Sequence, residues 1–257
     1  DPSAERYVAQ LEDWLASMRA DNDSVVCAIA SGGGRMTTTM DRYEADWSIV
    51  ERGWKAHVLG DARPFRSATD AIATFRAEEK GISDQWLPAF VVTDDCGEAL
   101  GPISDGDGVV LYNFRGDRAI ELAQAFVEGD EFAGFDRQRR PDVYFVGMVQ
   151  YDGDLKMPPR FLVSPETVTG TISEHLAASG LKQFACAETQ KYGHVTYFWN
   201  GNRSAKFDEA TESYLEIPSD TVPFEQRPWM KAAETADAVV DAVESGAYAF
   251  IRANPAG

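Results

Sequence analysis

The apolar positions of this chain change period repeatedly. After Asp1-Pro2-Ser3, a helix-starting sequence with an early proline, Leu11, Trp14, Leu15 and Met18 recur at helical spacing. Residues 24–31 form a short apolar run that reads as a buried strand, broken by Gly32-Gly33-Gly34. Helical spacing returns over 41–59, with Trp47, Val50, Trp54 and His57 on one stripe, and again over 68–77. Residues 87–93 read as a strand closed by the turn Asp94-Asp95-Cys96-Gly97. An apolar run at 108–114 leads into a helix over 115–127. Beyond it the pattern predicts a strand at 143–148, a helix at 171–178 ended by Gly180, strands at 183–187 and 195–199, the turn Asn200-Gly201-Asn202, a long helix at 226–243 and a last strand at 248–253.

Strands and helices alternate, and several strands are apolar on both faces. That combination predicts an α/β fold, a three-layer αβα arrangement with a mainly parallel or mixed central sheet and helices on both faces. The stretch 200–227 interrupts the alternation and is expected to be an antiparallel or irregular excursion. Without repeats, low-complexity tracts or a long linker, residues 1–257 read as a single α/β domain.

Composition narrows the partners. The formal net charge is -18, which disfavours nucleic acid and anionic membrane surfaces. It leaves room for a small anion held by a few arginines in one cleft. Cys27, Cys96 and Cys186 are widely spaced, form no CxxC and lie in no metal-type cluster, as in a reducing, cytoplasmic compartment. In such a compartment the sequon Asn202-Arg203-Ser204 stays idle. No apolar run approaches the roughly 18 residues of a membrane span, and nothing resembles a signal peptide. A start at Asp1 without methionine is expected of a processed or trimmed segment.

In open α/β sheets, ligands collect beyond the carboxyl ends of strands. Three segments place cations there. Gly33-Gly34-Arg35 with Met40-Asp41-Arg42 offers a loop whose N–H groups can approach an anion, although a glycine run is more often only a turn. Asn113-Phe114-Arg115-Gly116-Asp117-Arg118 puts two guanidinium groups at i and i+3 of a helix start, where the positive end of the helix adds to them; the plainer alternative is a surface ion pair through Asp117. Glu188-Thr189-Gln190-Lys191-Tyr192-Gly193-His194 sets Lys191 at a strand tip, or, more plainly, in a hairpin turn facing solvent. His57 and His175 fall inside helices and read as structural. No HxH, HExxH or DxH pattern appears, and no serine sits in a nucleophile elbow, so neither a metal site nor a nucleophile is expected here.

Taken in order, these segments resemble the cofactor-independent phosphoglycerate mutases, especially the plant and trypanosomatid type. The matching text is Ser31 to Arg35 with Met40-Asp41-Arg42 and Trp47, Asn113 to Arg118, Met148-Val149-Gln150-Tyr151-Asp152-Gly153, and Ala187 to Thr196, with Phe198 to Arg203 and Glu216 to Ser219 agreeing as well. The resemblance runs almost end to end. It implies the substrate-binding domain normally inserted into an alkaline-phosphatase-like domain that carries two divalent metal ions (manganese, with magnesium or cobalt as alternatives) and a transiently phosphorylated serine. By motif, it implies that Arg35, Arg42, Arg115, Arg118 and Lys191 bind 3-phosphoglycerate or 2-phosphoglycerate; His194 matches a recurrent residue without an assigned role. Met36-Thr37-Thr38-Thr39, Gly116 and Gly193 depart from the usual pattern without removing a charge. The serine, the metal ligands and a GRD segment have no counterpart, so this chain alone is expected to be inactive as an isomerase. Two other readings remain: a stand-alone binding module for a phosphorylated or carboxylated metabolite, and a structural domain whose arginines form only ion pairs.

Overall fold

The computed structural model describes residues 2–22, 24–41, 44–153, 155–164, 168–203, 205–222 and 224–255. In chain order the elements are α1 (Ala4–Asp21), β1 (Ser31–Gly32), α2 (Trp47–Trp54) continuing into a π-helical turn (Lys55–Leu59), β2 (Arg63–Phe65), α3 (Ala68–Glu78), β3 (Phe90–Val92), β4 (Gly108–Leu111), α4 (Ile120–Val127), β5 (Tyr144–Val149), β6 (Phe161–Val163), α5 (Ile172–Ala178), β7 (Gln183–Glu188), α6 (Thr189–Val195), β8 (Glu212–Ile217), α7 (Ala232–Glu244) and β9 (Phe250–Asn254). The class is α/β with mixed and parallel sheets, as the alternation predicts. The strands fall into three three-stranded sheets, ordered β1-β3-β2, β4-β5-β6 and β8-β7-β9.

By its internal contacts the chain divides into two units, Asp1–Met148 with Arg160–Leu162, and Val149–Pro159 with Val163–Gly257. In the first, β1 runs antiparallel and β2 parallel to β3, while β4 and β5 are parallel. Short polar side chains start two of its helices, α2 and α3: Asp46 accepts from the Ser48 N–H and Ser67 from the Asp70 N–H. One core gathers Phe65, Ile72, Phe75, Leu87 and Phe90, with Val8 of α1 packed against it. Another is aromatic, with Trp54 tilted on Phe126 at 4.8 Å and Phe126 stacked on Phe145 at 5.1 Å.

In the second unit β7 lies between β8 and β9, parallel to both and buried along its whole length. A strand covered on both faces explains the continuous run Phe184-Ala185-Cys186-Ala187. Phe184, Cys186 and Ala242 pack on one side, and Ala185, Ala187 and Val195 on the other.

Several predicted elements differ. The strand expected at 24–31 is regular only at its end, although Ala30 O still accepts from the Val92 N–H. The helix expected at 115–127 begins at Ile120, because the Asn113 carboxamide oxygen takes the Arg115 N–H and holds a turn in place of a helical start. The strand expected at 195–199 is the last residue of α6 and the turns after it, since Thr196 Oγ1 and the Phe198 N–H donate back to Tyr192 O and Gly193 O. A short apolar run does not by itself separate strand from helix. Conversely, the stretch expected to be antiparallel or irregular supplies β8, a parallel neighbour of β7.

Candidate anion-binding site

The glycine run after β1 is required by close packing. A Cβ on Gly32 would lie 2.6 Å from the Phe90 ring, on Gly33 2.8 Å from Thr38 Oγ1, and on Gly34 2.4 Å from the Gln85 backbone. The N–H groups of Gly34 and Met36 donate to Leu87 O and Gln85 O at 2.8 and 2.9 Å. These two donors are therefore committed to protein carbonyls, which corrects the expectation of a loop whose amides face an anion. The cation remains: Arg35 is exposed, and its Nε donates to Gln85 Oε1 at 2.9 Å. Arg42 lies outside the described residues.

The Asn113–Arg118 loop approaches this segment. Asn113 Nδ2 reaches Met40 Sδ at 3.3 Å while its carboxamide oxygen holds the Arg115 N–H at 3.2 Å. The Arg115 guanidinium donates twice to Asp117, Nε at 3.2 Å and Nη2 at 2.9 Å. Asp117 is buried while Arg115 is 64% exposed, so a fixed carboxylate aims an exposed guanidinium. Arg118 stands in the turn before α4, so neither arginine lies on the helix, and their expected shared helical face is replaced by this turn.

Behind the loops sits a carboxyl group that the motifs did not single out. Glu121 is 3% exposed, and its Oε1 accepts the Glu44 N–H at 3.0 Å. Burial pushes its pKa up to about 7; Asp41 and Glu44 push the same way, while the Glu44 N–H and Arg118 oppose them. The available signal was its place one turn after Arg118. Nothing in the apolar pattern marked it as inward-facing.

Lys191 belongs to the second unit, in α6 directly after β7, and is partly buried. The junction is tied on both sides. Glu188 is buried and its Oε2 accepts the Lys231 N–H at 3.2 Å, while Thr189 Oγ1 donates to Glu216 at 2.7 Å and accepts from the Ser219 N–H at 3.2 Å. Arg252 holds the far end of the helix by donating from Nε to Val195 O at 2.7 Å. His194 lies against the Phe198 ring at 5.6 Å. Thus the loops bearing Arg35 and Arg115 meet within one unit through Met40 and Asn113, and Lys191 is carried by the other.

A model of the BPG-independent PGAM N-terminus family (iPGM_N) matches residues 1–153. The chain belongs to that family. It is 54% identical over 254 residues to the 2,3-bisphosphoglycerate-independent phosphoglycerate mutase of Trypanosoma brucei brucei, covering 99% of this chain and 46% of that protein. It is 53% identical over 256 residues to a probable mutase of the same kind from Arabidopsis thaliana, covering 99% of this chain and 45% of that protein. Among solved structures, the crystal structure of Leishmania mexicana phosphoglycerate mutase at low cobalt concentration superposes with a TM-score of 0.94 at 54% identity, over 98% of this chain and 45% of that one. The iPGM_N chain described here therefore spans less than half the length of the mutases it matches. Among its described residues no group of three or more His, Cys, Asp and Glu side chains is arranged to hold a metal ion, and no helix is long and apolar enough to cross a membrane.

Proposed function

We propose that this chain is the glycerate-holding part of a cytoplasmic, cofactor-independent phosphoglycerate mutase, with its two units acting together as one inserted domain. In this reading Arg35, Arg42, Arg115, Arg118 and Lys191 grip 3-phosphoglycerate or 2-phosphoglycerate. The observation that supports it most is the tie between the Arg35 and Arg115 loops at Met40 and Asn113, in a chain 54% identical to a trypanosomal mutase over 99% of its own length.

Guanidinium groups suit the task because their planar forks match both carboxylate and phosphate. Each charge-assisted hydrogen bond contributes about 1.5–3 kcal/mol net. Asp117 orients Arg115 in advance, so little reorganisation is left for the moment of binding. The glycerate has to stay bound while its phosphate resides on a serine elsewhere in the polypeptide; release at that stage would turn a mutase into a phosphatase. Two divalent metal ions, manganese or else magnesium or cobalt, would be held by the remaining part of the polypeptide, and no step performed by the described residues runs through them.

The test is Arg115→Lys in the complete polypeptide. Lysine keeps the charge and loses the fork, so kcat/KM should fall about a hundredfold, near 2.7 kcal/mol, with Tm almost unmoved. Turnover close to that of the unaltered protein would remove Arg115 from the site.

A further inference from the structure

We propose that His57 is a positioning residue for the arginine loops: its imidazole clasps Ser31 and Thr39, the two ends of the segment that displays Arg35, and holds Thr39 in the backbone conformation that delivers Met40 to Asn113. The inference rests on the functional reading above and deepens it.

The geometry begins with a β-branched residue in an unfavourable place. Thr39 has φ 77°, in the left-handed region where a side chain branched at Cβ is an outlier. Such conformations persist only where the surroundings over-determine them. Here they do. The Thr39 N–H donates to Ile49 O at 2.9 Å. Gly53 of α2 comes so near that a Cβ there would lie 2.4 Å from Thr39 Cα. Thr39 Oγ1 is 2.7 Å from His57 Nε2, and His57 Nδ1 is 2.7 Å from Ser31 Oγ.

His57 therefore spends both ring nitrogens on hydroxyl groups of one loop. The ring is only partly exposed, and burial pushes its pKa down to about 4, so at neutral pH it is uncharged, with one nitrogen donating and the other accepting. A cavity of about 210 Å³ beside it is lined by Thr39, Trp54, Leu122, Phe126 and Phe145 among others, and its walls are largely apolar. From Thr39 the path is short: the next residue, Met40, meets Asn113, and Asn113 holds the Arg115 N–H. One ring thus links the course of the Arg35 loop to the setting of Arg115.

The test uses the complete polypeptide with 3-phosphoglycerate as substrate. Thr39→Val removes the hydroxyl and keeps the shape; it should raise KM about tenfold. Thr39→Ser restores the hydroxyl and should bring KM back to within about threefold of the unaltered protein. A lowered Tm with an unchanged KM in Thr39→Val means a structural histidine only, and overturns the proposal. Should Thr39→Val not fold, the same comparison is made at His57. The amide of His57→Asn falls where Nδ1 was and loses Thr39, whereas that of His57→Gln falls where Nε2 was and keeps it. A KM about tenfold higher in the asparagine variant than in the glutamine variant supports the clasp, and equal values overturn it. Absence of mutase turnover in the unaltered polypeptide overturns the functional reading itself, so the two failures are distinct.

Discussion

The arginine loops of the first unit and the lysine-bearing junction of the second solve the same problem by different means. Arg35 and Arg115 stand on irregular backbone, held by side-chain bonds to Gln85, Asn113, Asp117 and, through Thr39, His57. Lys191 stands on a helix that follows a fully buried parallel strand, and the cations and carboxylates around it serve to brace that strand–helix unit. The loops gain aim from many weak and mutually dependent bonds. The junction gains it from burial and sheet register, which are worth more per residue. Disturbing the loops should therefore alter binding before stability, and disturbing the junction should do the reverse.

The largest effect is expected at Arg252. It is 6% exposed, donates to Val195 O and to Gln183 Oε1 at 2.9 Å, and lies over the rings of Trp199 and Tyr214 at 5.6 and 5.3 Å. Desolvation lowers its pKa, a sign of how fully it is enclosed. Arg252→Met leaves Gln183 and the buried carboxylate of Glu212 short of a cation, and should cost about 3–5 kcal/mol in denaturant unfolding. A loss below about 1 kcal/mol would show that the junction is no better braced than the loops.

The second test probes the loops through Glu121. Its folded-state pKa of about 7 stands above the usual 4.5. Between those values the folded chain holds a proton that the unfolded chain has released, so stability from this group is complete below pH 4.5 and is lost as pH rises through 7. His57 has the opposite sign. Its pKa is lowered from 6.5 to about 4, so its contribution is complete above pH 6.5 and is lost as pH falls through 4. Between about pH 4.5 and 6.5 the two slopes oppose each other. Glu121→Gln keeps an oxygen for the Glu44 N–H and removes the charge. It should stabilise the chain by up to roughly 3 kcal/mol at pH 8, by nothing below pH 4.5, and should expose the rising slope left by His57. Equal stability of the two proteins at pH 8 would mean that Glu121 is not buried as a carboxylate.

The same contrast decides what the sequence discloses. The strand β7 is legible because Phe184 to Ala187 is apolar at every position, as in a strand covered on both faces, and a cation follows it; the helix α6 is not, since Thr189 to Val195 reads as a strand tip or hairpin turn and folds as a helix. The location of the arginine loops is legible too, since a strand followed by glycine or asparagine marks a loop. Their construction is not. Nothing in Thr39 announces a positive φ, and nothing in Gly34 tells an amide that faces an anion from one already bound to Leu87 O. The Arg115–Arg118 spacing fits a helix as well as it fits a turn. The Asn113 side chain decides between them through one hydrogen bond that composition does not record. Val195 to Trp199 folds otherwise for a related reason: Val195 is buried at a helix end while Phe198 and Trp199 stand exposed in the turns after it, and a run of five residues does not distinguish that arrangement from a strand.

The smallest effect on stability is expected at Lys191, and it sharpens the comparison most finely. The residues that build the junction are Glu188, Thr189, Gln190, Ser219 and Arg252, whose bonds join the end of β7, the start of α6, the segment after β8 and the helix end. None of those bonds passes through Lys191, which is partly buried in the first turns of α6. Replacing it by methionine keeps the length and apolar stem of the side chain and removes the charge, so unfolding free energy should shift by no more than about 0.5 kcal/mol. In the complete polypeptide the same substitution should raise KM for 3-phosphoglycerate about tenfold, the loss of one charge-assisted contact. A strongly braced junction that tolerates this change in stability and loses affinity is a platform for a cation. If Lys191→Met instead melted as early as Arg252→Met with KM unaltered, the lysine would be part of the bracing, and the grip on the substrate would rest on the arginine loops alone.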